Sequence, residues 1–251
     1  MTASGRPKVY IVGAGPGAPD LLTVRAMQLL QQADVVLYDS LVPESLVEAY
    51  SSSRGQWINV RTLGPRQTQC ADHRQEAINA EMIRHAGLGR IVVRLKGGDP
   101  FIFARSTDEM RALRRAGIEY EIVPGVTAAQ AAACAAHIPL TSRTSASSVT
   151  FATGHPAREK SGPAVNWKLA AEADTLVLYM SVAQLAVNAG RLMEAGRDPT
   201  TPVAVISRAT LPGERRITGT LADIAEKAKS QGIQSPAIVI IGEVVREHKD
   251  L

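Results

Sequence analysis

The run Ile91-Val92-Val93-Arg94-Leu95-Lys96-Gly97-Gly98-Asp99-Pro100 constrains this chain more than any other stretch. Ile91 to Leu95 is short, rich in β-branched residues and followed at once by a breaker, the pattern of a buried strand in a parallel sheet. Gly97-Gly98-Asp99-Pro100 ends the strand in a sharp turn, and paired glycines let a ligand approach the backbone closely. Open α/β sheets bind ligands beyond the carboxyl ends of their strands. Asp99 is therefore placed to accept hydrogen bonds from a ligand's hydroxyls or amine; the alternative is a tight strand-to-helix turn with no ligand.

The flanking sequence alternates in the same way. Val9–Val12 reads as a strand, Gly13-Ala14-Gly15-Pro16-Gly17 as a loop, and Leu21–Gln32 as a helix capped by Asp20 with Leu22, Ala26, Leu29, Leu30 and Ala33 on one face. A dinucleotide fingerprint fails here: Ala18 stands where Gly-x-Gly-x-x-Gly needs its last glycine, and Pro16 lacks the N–H a phosphate cradle uses. Val35–Tyr38 is a second strand with Asp39 at its carboxyl end, and Pro43 opens a short helix to 50. Trp57–Val60 is a third strand, and residues 74–86 have helical spacing. Ser106 and Glu109 have capping-box spacing for a helix through Arg115, which would put Asp108 and Glu109 in its first turn. Glu121–Val123 is a strand, and Pro124-Gly125 turns the chain out of it.

Past that turn comes an alanine-rich helix, Thr127–Ala136, and then a second series of elements. Strands are expected at 148–153, 175–180, 202–207, 215–219 and 237–241, with helices at 166–173, 183–195 and 221–229. The chain thus divides into an N-terminal α/β domain, 1–124, and a C-terminal α/β domain, 125–251, with a cleft between the lobes. Its 251 residues suffice for two such cores, and a composition 45% hydrophobic and 21% charged is that of an ordinary soluble protein. No run reaches the ~20 apolar residues of a membrane span, and Met1–Lys8 lacks an apolar signal core, so a cytoplasmic protein with no membrane association is expected. Cys70 and Cys134 form no Cys-x-x-Cys pair, and His73, His85, His137, His155 and His248 have no ligand spacing, so no metal is expected. A net charge of +4 without a basic tract does not imply nucleic acid. The arginines serve either an acidic small molecule, through bidentate forks, or a solvated surface.

Val-Gly-Ala-Gly-Pro-Gly (12–17), Leu-Tyr-Asp-Ser-Leu-Val (37–42), Val-Arg-Leu-Lys-Gly-Gly-Asp-Pro-Phe-Ile-Phe (93–103), Val-Pro-Gly-Val-Thr-Ala-Ala (123–129), Ser-Val-Thr-Phe-Ala-Thr-Gly-His (148–155), Leu-Tyr-Met (178–180), Gly-Thr-Leu (219–221) and Pro-Ala-Ile-Val-Ile-Ile-Gly-Glu-Val-Val (236–245) occur in one order. In these blocks the chain resembles the tetrapyrrole methylases over roughly residues 8–246, most closely the branch that acts on uroporphyrinogen III. The resemblance implies a two-lobed class III methyltransferase fold, a homodimer, and S-adenosylmethionine as methyl donor in the interlobe cleft, with S-adenosylhomocysteine as product. It implies methylation at C2 and C7 of uroporphyrinogen III to precorrin-2, for sirohaem, cobalamin or haem d1. Carried onto this sequence, the donor contacts are Pro16, Gly97, Gly98, Asp99, Ile102, Thr127, Ala128, Met180 and Ala209. Asp39 falls at the family's proposed proton acceptor. A stand-alone methyltransferase is expected, since a chain ending at Leu251 leaves no room for the dehydrogenase and ferrochelatase domain fused to some relatives.

The departures fall mostly on the acceptor side. Val60-Arg61-Thr62-Leu63-Gly64 replaces the usual Gly-Lys-Arg-x-Gly, so the proposed proton-donor lysine is Arg61, which gives up a proton far less readily. Phe103-Ala104-Arg105-Ser106-Thr107-Asp108-Glu109 replaces Phe-Gly-Arg-Gly-Gly-Glu-Glu, keeping Arg105 and shortening a glutamate to Asp108. Ser142-Arg143-Thr144 keeps only the arginine of His-Arg-Asp, and Ala209 replaces a glycine. Arg105 and Arg143 are the candidates for gripping acceptor carboxylates; Asp39, Asp108 or a substrate carboxylate would relay the proton. Three readings stay open: a uroporphyrinogen III methylase, a methylase with another acceptor, and a non-catalytic paralogue that binds the donor or a tetrapyrrole.

Overall fold

The computed structural model describes residues 9–51, 55–63, 71–154 and 165–247. Cys70, His155, His248 and Gly64 lie outside them. The chain divides into two compact units, Met1–Thr127 and Ala128–Leu251. Among the described residues no helix is long and apolar enough to cross a membrane.

The first unit is built on strands β1 (Val9–Gly13), β2 (Val35–Tyr38), β3 (Gln56–Asn59), β4 (Val92–Lys96) and β5 (Tyr120–Val123), with helices α1 (Val24–Gln32), α2 (Glu44–Ser51), α3 (Ala71–Gly87) and α4 (Ser106–Arg115). The sheet order is β3-β2-β4-β1-β5 and every pairing is parallel. As expected of a strand buried on both faces, β4 lies at the centre. Side chains alternate across it: Val93 and Leu95 join Tyr10, Val12, Ala26, Leu29, Leu30 and Leu46 on one face. Val92 joins Val9, Ile11, Ile78, Met82 and Leu113 on the other. Each buried Val, Leu, Ile or Met among these contributes about 1.5–3 kcal/mol by leaving water.

Two local expectations are corrected. Helix α1 starts later than expected, capped by Thr23, whose side-chain oxygen accepts the Ala26 amide; Asp20 lies in a preceding 3₁₀ turn, Pro19–Leu21. Pro19 sets that turn, so the chain re-enters helix only after Leu22. The capping box at α4 does not form either. Ser106 Oγ donates to the Pro100 carbonyl, and Glu109 points into the interior instead of back to the cap.

The second unit contains α5 (Ala128–Ala136), β6 (Val149–Thr153), α6 (Trp167–Glu172), β7 (Thr175–Tyr179), α7 (Leu185–Glu194), β8 (Pro202–Ser207), β9 (Arg215–Thr220), α8 (Ile224–Ser230), β10 (Ala237–Ile241) and α9 (Val244–Glu247). Its sheet, β6-β7-β10-β8-β9, is mixed: β6 and β7 are parallel, while β10 runs antiparallel to β7 and β8, and β9 antiparallel to β8. Leu176, Leu178, Val203, Val205, Ile217, Val239 and Ile241 form its main core with α6, α7 and α8.

Candidate functional site

Because every strand of the first sheet runs the same way, its loops after β1, β2, β3, β4 and β5 all emerge at one edge. That edge gathers Pro16, Asp39, Arg61, Gly97, Gly98, Asp99 and Ile102. Three backbone turns meet there. Gly98 N donates to the Gly15 carbonyl at 2.7 Å and Gly15 N to the Gly98 carbonyl at 3.2 Å. A Cβ on Gly13 would lie 2.6 Å from both Gly98 O and Gly125 N, and one on Gly97 2.8 Å from Leu41 Cβ. Gly98 adopts φ 70°, a left-handed conformation that costs glycine little. The side chains are absent because there is no room for them, which leaves bare backbone at the strand ends.

Asp99 closes this arrangement. Its Oδ1 accepts the Phe101 amide at 2.8 Å and its Oδ2 the Gly125 amide at 3.1 Å. Both oxygens thus bond the chain's own backbone and hold the β4 and β5 turns together. Any ligand contact must use the remaining lone pairs. Beyond Asp99 the loop is strained, with Phe103 at φ 52° and Arg105 at φ 56°. Such conformations cost non-glycine residues free energy and cluster at functional sites.

The acceptor-side residues are more exposed. Arg105 Nε donates to Asp108 Oδ2 at 3.2 Å, an ion pair in which both side chains stay substantially accessible. Arg61 sits in a 3₁₀ turn, Val60–Thr62, anchored by its amide to Asn59 Oδ1 at 3.0 Å, with an exposed side chain. In the second unit Arg143 is exposed on a tight loop closed by backbone bonds between Ser142 and Ala146. Glu247 of α9 braces that loop by accepting Ser145 Oγ–H. Bonds from Ser145 and Ser142, and from Thr144, hold the Glu247 carboxyl below its ordinary range.

The second unit's own edge carries Met180, after β7, and Ala209, after β8. Met180 is half-exposed at φ 53°, and Ala209 lies between Arg208 at φ 54° and Thr210 at φ 67°. The hydroxyl of Tyr179 accepts the Ala129 amide at 3.2 Å, tying the start of α5, with Ala128, to the residue before Met180. Asn188 Nδ2 donates to Gly154 O at 2.8 Å and to Ser181 Oγ at 3.2 Å, fixing the ends of β6 and β7.

Sequence reasoning missed one cluster. Arg94 and Lys96 are two apart on β4 and so share a face, each only 2% exposed. Glu109 enters from α4, fully buried, and accepts from Arg94 Nε at 2.8 Å and from Lys96 Nζ at 2.9 Å through both its oxygens. Arg94 Nη2 also donates to Asp39 Oδ1. Burial lowers the tendency of Arg94 to hold its proton, but Glu109 and Asp39 outweigh this and raise it. Burial and the adjacent Arg94 charge push the Lys96 ammonium below its usual range, against the pull of Glu109 and Asp39. The available signal was a pair of cations at period-two spacing inside a strand that otherwise reads as core.

The sequence matches the profile of the Tetrapyrrole (Corrin/Porphyrin) Methylases over residues 8–225. The chain belongs to that family. It is 44% identical to a uroporphyrinogen-III C-methyltransferase of Priestia megaterium, covering 95% of this chain and 98% of that one. It is 45% identical to a sirohaem synthase of Psychrobacter, covering 97% of this chain and 49% of that protein. The chain spans about half the length of the sirohaem synthases it matches. The uroporphyrin-III C-methyltransferase of Thermus thermophilus complexed with S-adenosylhomocysteine superposes with a TM-score of 0.79 at 38% identity, over 95% of this chain and 99% of that one.

Proposed function

We propose that this chain is an S-adenosylmethionine-dependent C-methyltransferase that methylates uroporphyrinogen III at C2 and C7, giving precorrin-2. The observation that carries the reading is the side-chain-free backbone where the β1, β4 and β5 turns meet, in a chain whose Priestia relative matches it nearly end to end. Glycines there keep side chains off the carboxyl ends of the strands, the edge beyond which open α/β sheets bind ligands, and this supports a nucleoside donor at that edge. Pro16, Gly97, Gly98, Asp99, Ile102 and Thr127 of the first unit, and Ala128, Met180 and Ala209 of the second, are assigned as donor contacts.

When bound, the donor supplies an activated sulfonium methyl, so the chain need not create a strong nucleophile from an electron-rich pyrrole carbon. Its residues hold that carbon in line, and positioning of this kind contributes up to about 7–11 kcal/mol. Arg105 and Arg143 grip acceptor carboxylates through charge-assisted forks. Asp39, Asp108 or a carboxylate of the acceptor takes up the proton lost after transfer. Arg61, in the lysine's place, adds fixed positive charge and does not serve as a proton donor. We also assign the chain to the cytoplasm and to a homodimer, the state implied by the family; light scattering on purified protein reads the latter.

The test is anaerobic incubation with S-adenosylmethionine and uroporphyrinogen III, followed by mass. A stepwise gain of two methyl groups supports the reading. Protein of proven donor affinity that gives no mass gain overturns it. A methylase for another acidic tetrapyrrole is the second reading, favoured by Arg61, Asp108, Ser142 and Thr144; it then takes precedence.

A further inference from the structure

The buried cluster behind β4 ends at the sheet edge in one carboxylate. Of its four charged members, Arg94, Lys96 and Glu109 are at most 2% exposed, whereas the Asp39 side chain is 27% exposed. Arg94 spends each of its nitrogens: Nε on Glu109, Nη1 on the Leu37 and Leu95 carbonyls at 3.3 and 3.1 Å, and Nη2 on Asp39 Oδ1. The guanidinium therefore has one available orientation. Asp39 is held by its backbone as well, its amide donating to the Leu95 carbonyl at 3.1 Å and its carbonyl accepting the Val42 amide at 3.0 Å. Its second oxygen, Oδ2, bonds nothing among the described residues.

A buried ion cluster is a poor way to stabilise a fold. Its desolvation penalty rivals its attraction, and apolar residues of the same volume often serve as well or better. What such a cluster does provide is a fixed dipole and a locked rotamer, which a reacting group at its end requires. Gln75 of α3 adds a further contact to Glu109 at 3.4 Å, so the support comes from two helices as well as the strand.

We propose that Arg94 is a positioning residue for the Asp39 carboxylate, presenting Oδ2 to the acceptor, and that Glu109 and Lys96 keep Arg94 in the orientation that does so. The inference rests on the methyltransferase reading above and adds to it residues that touch neither substrate.

The test compares Arg94→Lys, Asp39→Asn and the double variant in the full chain. Arg94→Lys keeps a cation but cannot span Glu109 and Asp39 together. Rates of mass gain on uroporphyrinogen III are measured beside calorimetric affinity for S-adenosylhomocysteine. Arg94→Lys is expected to lower kcat about tenfold or more while KM and donor affinity stay within about twofold. In the Asp39→Asn background the same change is expected to cost less than about twofold, because the group it acts through is already lost. An equal loss in both backgrounds, or donor affinity falling in step with kcat, overturns the proposal in favour of a purely structural role. A crystal structure of Arg94→Lys reads it without catalysis: an Asp39 carboxylate turned from its wild-type rotamer supports it, and an unchanged one overturns it. Should wild-type protein bind donor but methylate nothing, the functional reading fails, and the crystal structure still decides the positioning. Glu109→Gln, nearly isosteric, undergoes the same measurements where Arg94→Lys does not fold.

Discussion

Asp99 reaches across from the β4 turn to accept the Gly125 amide of the β5 turn, 3.1 Å away, while its other oxygen caps Phe101. One side chain thereby fixes the spacing of two glycine turns. Hydrogen bonds to charged groups contribute about 1.5–3 kcal/mol each. Asp99→Ala is expected to lower the thermal midpoint and weaken S-adenosylhomocysteine binding at least tenfold. Calorimetry showing unchanged affinity would remove Asp99 from the donor site.

Gly98→Val places a β-branched residue at φ 70°, a conformation such residues essentially do not adopt. Donor binding is expected to be abolished, with the secondary structure retained by circular dichroism. A Gly98→Val protein that binds donor normally would show that the ligand lies away from this turn.

Arg105 and Arg143 are exposed cations assigned to acceptor carboxylates. Removing either should raise the acceptor KM by one to two decades, the equivalent of ~1.5–3 kcal/mol, with donor affinity near normal. Loss of donor binding in step with KM would instead mean that these arginines hold the fold.

Arg61→Lys restores the family's residue. With uroporphyrinogen III as acceptor, turnover should hold or rise, since lysine adds a transferable proton at the same site. A fall of tenfold or more would point to an acceptor that requires the planar guanidinium.

Asp174 accepts bonds from the Ser147 side chain and amide and from those of Ser148, and these hold its carboxyl below the ordinary aspartate range. A carboxylate lowered on folding adds stability above its unfolded value, about pH 4, and loses it as pH falls through the lowered one. Asp174→Asn should therefore be the less stable protein at pH 7, with the gap closing below about pH 4. Urea midpoints across pH 3–7 check this; a gap that widens in acid contradicts it.

Much of the architecture was legible because it is written in short-range pattern. The β-branched runs, the alternation with helical spacing, and Gly97-Gly98 after a strand are local signals. The structure returns the strands to within one or two residues of where the periodicity places them. Helix starts were less legible. Thr23 rather than Asp20 caps α1, and Ser106 with Glu109 mimics a capping box, because a cap depends on where the preceding turn releases the chain.

Sequence by itself determined the fold class, the order of the strands along the chain and the glycine turns, since these follow from side-chain period and from the steric freedom of glycine. Only the tertiary structure decided what the charges do. Glu109 reads locally as a first-turn acid favoured by the helix dipole, yet it lies buried between Arg94 and Lys96. Asp39 reads as an acid at the carboxyl end of a strand, yet Arg94, 55 residues away, holds it. A buried cation must find a partner wherever the fold brings one, and α4 packed on β4 brings Glu109 there; no local pattern encodes that meeting.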